Sequence, residues 1–492
     1  MIRSHMNYQQ LLYGLLIVLA LVFCKTNGEV QCNHSREFSS IAFVNVHVVP
    51  MDSERILENR TVVIQEGRIA QIGKVTEVDI PSNAMLIDGK GKYLMPGLCD
   101  MHTHIPYKND FILYLANGIT TVRNLFGFPY HLDLKQKIDR GEVLGPKLYT
   151  VGPIIDGDPP CWPGSEVVET EEDAIRVVRA HKEAGYDGLK VYNRVPKKAY
   201  KKIAEFARKE NFPLSGHVPI SVGIKGAIEA KQTCIEHLDG YWWEVISDDV
   251  PIGSWFGISA KELFSERPKS IERMIVNGTI TEEQLVEPEK LKSLAVATAE
   301  AGVWNVPTLV ITNRYRFFLS AKEDEEWLEN PLLKYVLTNY NLLLQMHVEK
   351  IRNMSAGEKQ ILGVWYRQRL KIAKALHDAG ARILLGTDSG APFVIPGFSI
   401  HEELRNFVEA GLSPYEAIRA GTQRAAEFLN AQDEFGTIEV DKRADLILIN
   451  GNPLEDISNV SRISGVLVRG NWLTREDLDR YVHDLGGSIY GK

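Results

Sequence analysis

Short stretches of alternating apolar and polar residues open and close the readable part of this chain. Near its start, "IAFVNVHVVP", "TVVIQEGRIAQIGKV" and "MLIDGKGKYLMPG" run through residues 41 to 97 between Gly, Asn and Asp turns. A period of two marks strands with one face buried, so residues 40–96 are expected to be antiparallel strands and hairpins. "GTIEVDKRADLILINGNP" and "ISGVLVRGNWLT", between 436 and 474, repeat the habit. The two pieces, 40–96 and 433–475, are expected to meet in one small β-sandwich domain.

The middle alternates differently. Eight short apolar runs stand between amphipathic helical stretches: "GLCDMHTH", "GITTVRNL", "KLYTVGPII", "DGLKVYN", "FPLSGHV", "QTCIEHL", "GVWNVPTLVI" and "ARILLGTDS". Strand–helix alternation implies a parallel sheet, and eight units between 97 and 432 predict a (β/α)8 TIM barrel. An open doubly wound sheet is the alternative, but no GxGxxG follows the first run. Long connections after the sixth and seventh runs, 241–300 and 313–380, are expected to form a cap. Such a cap would set specificity without serving any metal.

Composition adds boundaries. Hydrophobic residues make up 44% and charged residues 24% of the 492, with a formal net charge of −8. That is an ordinary globular balance, and its sign argues against nucleic acid as a partner. The lysines of "PKKAYKK" (196–202) alternate with apolar residues at helical spacing and read as a solvated helix face. Arg3 and His5 precede "LLYGLLIVLALVF" (11–23), an apolar core of signal-peptide length, so 1–30 is expected to be a leader and the protein to be exported. An uncleaved anchor and a lipid-modified Cys24 are the alternatives, the second disfavoured by the bulky Phe23 before it. Sequons at Asn33, Asn59, Asn277, Asn353 and Asn459 fit a secreted glycoprotein. The remaining cysteines, Cys32, Cys99, Cys161 and Cys234, show no CxxC spacing, so a thiolate metal site is not expected, while one disulfide of unassigned pairing is open.

Candidate chemistry sits at the ends of the runs. His102 and His104, at i and i+2 of a strand, share a face. Lys190 lies in the fourth run, His217 ends the fifth, His237 ends the sixth and Asp388 ends the eighth. Barrel enzymes carry their chemistry at the C-terminal ends of strands, so all six would face one rim. Any one of them alone reads as a satisfied rim residue or a helix cap. Six in the same structural position make a metal site the better reading.

These motifs, "PGLCDMHTH", "LKVYN", "GHV", "IEH" and "GTDSG" with "HEELRNFVEAGLSPYEAIRAGT", resemble the amidohydrolase superfamily over about residues 40 to 475. The resemblance is strongest to imidazolonepropionase-related members that include Xaa-Pro dipeptidases and ochratoxin-type amidases. It implies two divalent metals, zinc by the donor set, with manganese, cobalt and iron also admissible. His102, His104 and Asp388 would hold one metal, and His217 and His237 the other. Lys190, N6-carboxylated, would bridge them. A hydroxide between the metals would attack an amide carbonyl of a small substrate, such as an Xaa-Pro-like dipeptide or N-acyl amino acid. Asp388 would carry the proton to the leaving nitrogen.

Tyr241, Tyr192 and His131 are candidate substrate contacts, Trp242 and Trp243 candidate pocket walls, and Arg123 and Arg194 candidate carboxylate clamps. A lactone, carbamate or phosphotriester would suit the same chemistry, and a non-catalytic secreted binding protein is the remaining alternative. The expected partner is the small-molecule substrate, with a homo-oligomer open and no membrane span in the mature protein.

Overall fold

The computed structural model describes residues 40–106, 108–247, 275–317, 356–391 and 393–490, together with Glu349 and Asn353. The expected leader, Cys24, Cys32 and Asn33 lie outside the described residues, as do 248–274 of the first expected cap segment and most of the second.

Eight of the parallel strands carry the runs read from the sequence. They are β1 (Leu98–Thr103), β2 (Ile119–Asn124), β3 (Lys147–Thr150), β4 (Leu189–Val191), β5 (Leu214–Gly216), β6 (Cys234–Glu236), β7 (Trp304–Val306) and β8 (Arg382–Ile383). The first three form one parallel sheet, and β4 to β8 form another with two short strands, Ile155–Asp156 and Glu166–Val167, on its edge. Backbone bonds join the two sheets on both sides. Asp187 N donates to Thr150 O at 2.8 Å between β3 and β4, and Met101 N to Leu385 O at 2.9 Å beyond β8. This is a TIM-barrel-type α/β fold.

Local sequence explains the outer helices. Glu171–Ala184 starts at Thr170, whose hydroxyl accepts from Asp173 N, carries three acids in its first turn, and stops at Gly185 with φ +91°. Lys197–Lys209 buries Ala199, Tyr200, Ile203, Ala204 and Ala207 on one face, leaving its lysines mainly to water. The lysine cluster is a solvated face.

Strands from both ends of the described chain join in one eight-stranded sheet. Its order runs Asn471–Thr474, Ile463–Val468, Leu446–Ile449, Tyr93–Pro96, Ser40–Val48, Leu57–Gln65 and Arg68–Gly73, and Met85–Asp88 also pairs with Ser40–Val48. The Leu446–Ile449 strand pairs antiparallel with Tyr93–Pro96, so the two termini are tied directly before β1 begins. Phe43, Val46, Val62, Leu94, Leu446 and Leu467 form its own core.

The stretches expected as cap are in part helices packed on the barrel. Pro288–Glu300 buries Leu294 and Ala295, and Ala356–Asp378 buries Leu370, Ile372, Ala373 and Leu376. Both occupy the place of the helix that precedes the next strand. No helix among the described residues is long and apolar enough to cross a membrane.

Candidate metal centre

Four imidazoles run in a line across the C-terminal ends of the strands. Ring centroids of His104 and His102 are 5.3 Å apart, His102 and His237 4.6 Å, and His237 and His217 4.9 Å. β1 supplies the first pair, the end of β5 supplies His217 and the end of β6 supplies His237. Asp388 follows β8 and turns inward because its backbone is left-handed, φ +62°, while its amide donates to His102 O at 2.7 Å. That conformation is uncommon for a residue with a side chain and is held here by the neighbouring strand.

Close approach of the strands also depends on glycine. A Cβ at Gly216, next to His217, would fall 2.2 Å from Val191 O, and Gly216 has φ +128°. Only glycine lets β4 and β5 bring Lys190 and His217 to the same rim at this spacing.

The side chains converge around one point. Oδ1 of Asp388 lies 3.2 Å from Nε2 of His102 and 2.8 Å from Nε2 of His104. Lys190 Nζ is 3.2 Å from the same His102 nitrogen. His102, His237 and Asp388 present ligand atoms within 4.8 Å of one another. Asp388 Oδ1 is nonetheless buried without a hydrogen bond of adequate geometry. Lone pairs facing a common centre, rather than N–H groups facing acceptors, are what a divalent cation requires, so these residues fit one.

Electrostatics agree with that reading. Burial first, aided by the nearby Lys190 and His102, pulls His104 down to about 4, against the pull of Asp388. Burial likewise holds His237 well below the ordinary imidazole value. Neutral imidazoles are the ligand form. Burial would raise Asp388, but the facing His102 and His237 hold its carboxyl well below the usual range. The Lys190 amine is lowered by burial, against the acids Glu236 and Asp388. A buried lysine so shifted is closer to its neutral, nucleophilic form.

Behind each imidazole stands a polar partner. His102 Nδ1 is 2.7 Å from Glu236 Oε2, and the other Glu236 oxygen takes Arg123 Nη2 at 2.8 Å. Burial opposes ionisation of Glu236, yet Arg123 and His102 hold its carboxyl at about 2. His217 Nδ1 lies 2.9 Å from Asn193 Oδ1 and 2.8 Å from Asp239 Oδ2, and His237 Nδ1 is 2.8 Å from Thr308 Oγ1. Such partners fix ring orientation in metal sites. Glu236, Asp239 and Thr308 have no sequence signal beyond adjacency to a histidine or a strand end.

Of the three candidate substrate contacts, Tyr192 is at the centre, its ring 4.0 Å from that of His217. Tyr241 is fully buried, its hydroxyl engaged with Thr298 Oγ1 at 3.1 Å and Asn305 Oδ1 at 2.9 Å. His131 is buried beside β1, accepting from Phe128 N and bonded to Ile105 O at 2.9 Å, so both ring nitrogens brace the backbone next to His104. Arg123 lies within the barrel wall, donating to Met101 O and Ser215 Oγ as well as Glu236, and Arg194 donates to Pro159 O. Trp242 packs on Trp365 with centroids 4.3 Å apart. Cys99, Cys161 and Cys234 are free thiols.

Comparison with known proteins follows the same lines. The model of the amidohydrolase family matches residues 335–473. The chain is 24% identical to imidazolonepropionase of Geobacillus sp. (strain WCH70), covering 81% of this chain and 86% of the relative. It is 24% identical to ochratoxinase of Aspergillus niger, covering 83% of this chain and 81% of that one. Among solved structures, a Xaa-Pro dipeptidase with bound methionine in its active site matches with a TM-score of 0.62 and 19% identity, over 89% of this chain and all of that one. With the rim of histidines and the barrel-type fold, these define the class: an enzyme similar to the amidohydrolase family, whose model covers residues 335–473. It is a hydrolase, and the bond class it acts on is the amide.

Proposed function

We propose that this enzyme is a two-metal amidase of small substrates, cleaving Xaa-Pro-like dipeptides or N-acyl amino acids. The observation that carries the reading is the convergence of His102, His104, His237, Asp388 and Lys190 on one centre, with His217 next in the line of imidazoles. The names of the similar ochratoxinase and Xaa-Pro dipeptidase support the substrate class. His102, His104 and Asp388 would hold one metal, His217 and His237 the other, and Lys190, N6-carboxylated, would lie between. Zinc suits the imidazole and carboxylate donors.

When bound, such ions polarise a carbonyl and bring the pKa of a water near neutrality. The chain's own residues do the rest. Asp388, held ionised, accepts the proton of the attacking water and returns it to the leaving nitrogen. Glu236, fixed by Arg123, keeps His102 Nδ1 protonated and its Nε2 turned inward. Tyr192, packed against His217, contacts the substrate, and Tyr241 and His131 hold the walls behind the ligands.

In this reading the parallel strands of 97–432 close as a (β/α)8 barrel. Segments 40–96 and 433–475 make the small β-sandwich domain, and 1–30 is an export leader. Finding the mature N-terminus near residue 30 on protein secreted by the native host would support export, and an intact leader on intracellular protein would refute it.

The test of function is metal analysis of active protein with a substrate panel. Two metals per chain and chelator-sensitive hydrolysis of dipeptides or N-acyl amino acids are expected. One metal or none would overturn the two-metal reading. Turnover confined to lactones or phosphotriesters would overturn the substrate class.

A further inference from the structure

The Ala356–Asp378 helix lies in the stretch expected to act only as a cap, yet one of its residues reaches the ligand rim. Arg369 Nη1 donates to the carbonyl of His237 at 2.5 Å. That carbonyl belongs to the turn by which the chain leaves β6.

That turn needs an outside hold. His237 and Leu238 are consecutive left-handed residues, φ +60° and +54°. Such non-glycine residues are strained and persist only where their surroundings over-determine them. The amide of His237 is held by Val306 O at 2.8 Å and its ring by Thr308 Oγ1 at 2.8 Å. Its carbonyl is held by Arg369. Asp239, two residues on, in turn contacts His217 Nδ1 at 2.8 Å. One guanidinium therefore holds the turn that carries His237 and, two residues on, the Asp239 carboxylate against His217.

We infer that Arg369 is a positioning residue for the His217–His237 pair, so that the helix after the seventh strand is part of the second metal's site. The inference rests on the two-metal reading above. It also reverses the expectation that the region after β7 leaves the metals alone.

The experiment is zinc titration with chelator competition on the full chain, comparing wild type with Arg369→Gln and Arg369→Lys. Wild type should bind two zinc ions. Arg369→Gln should keep one site at unchanged affinity and weaken the other by about 10–100-fold, the range expected for a partner behind a metal ligand. Arg369→Lys should fall between. At saturating zinc the variants should regain kcat, with KM little changed. Two sites of wild-type affinity in both variants would overturn the role of Arg369 while leaving the two-metal reading intact. Fewer than two sites in wild type would overturn both. Should Arg369→Gln fail to fold, as shown by its melting without metal, Arg369→Lys alone decides on the same criteria.

Discussion

At the scale of single residues, the centre depends on charges whose environments have been pushed apart. Asp388 stays ionised in a buried position because the imidazoles face it. Asp388→Asn retains an oxygen ligand but removes the proton carrier, so kcat should fall by about 10²–10⁴-fold with metal content nearly unchanged. Metal analysis beside steady-state kinetics checks this, and near-normal kcat would assign proton transfer elsewhere. Asp110 is a contrasting case. It begins the Asp110–Ala116 helix, is buried, and burial alone pushes its carboxyl up to about 7. A folded value above the unfolded one means its contribution is most favourable at low pH and is lost as pH rises from about 4 to about 7. Asp110→Asn should therefore match wild type near pH 4 and exceed it near pH 8. The gain should be a few kcal/mol, given about 1.4 kcal/mol per unit. Urea midpoints at the two pH values would show it, and a gap that closes at high pH would refute it.

Why some residues were legible and others not is also a residue-scale matter. His102, His104, Lys190, His217, His237 and Asp388 could be read because each ends or sits in a short apolar run, and a strand end fixes where a side chain lies. Glu236 and Arg123 also sit in such runs. Their meaning came from a pairing across 113 positions that no local pattern announces. Tyr241 shows the converse: an aromatic four residues beyond a ligand reads the same whether it faces a pocket or, as here, Thr298 and Asn305.

Among elements, the strand–helix alternation was readable in every unit, while the ends of elements were not. "GVWNVPTLVI" reads as one apolar run, but only Trp304–Val306 is strand and Leu309 already opens a helix. The reason is tertiary: buried Glu403, from the Ile400–Glu409 helix, accepts from Leu309 N at 2.8 Å and Val310 N at 2.6 Å, capping that helix from a distant segment. The joint between β4 and β5 yields a prediction of its own. Gly216→Ala would drive a methyl into Val191 O. It should destabilise the protein by more than about 2 kcal/mol, as core overpacking and backbone conflict do. Denaturant unfolding would measure that loss, and a change under 0.5 kcal/mol would show that the strands can part freely.

For the whole molecule, the candidate ligand residues run from position 102 to position 388 and meet only when the two parallel sheets have come together. Metal bound to the folded chain and not to the unfolded one stabilises it by about 4 kcal/mol at a thousandfold excess over Kd. Chelation should lower the melting temperature of wild type by several degrees, and less in Lys190→Ala, which should lose one metal and regain part of its activity with short-chain acids. Equal melting with and without chelator would separate metal binding from the fold.

The small sheet imposes a schedule on the ribosome. Pro96 leaves the exit tunnel roughly 350 residues ahead of Leu446, its partner across the sheet. At about 5–20 residues per second that interval is on the order of 20–70 s. Through all of it the Tyr93–Pro96 strand offers an unpaired edge, and unpaired edges recruit other chains. Nascent protein is therefore at greatest hazard while its barrel is still being made, and a chaperone that shields the first hundred residues would raise yield more than one acting on the finished chain.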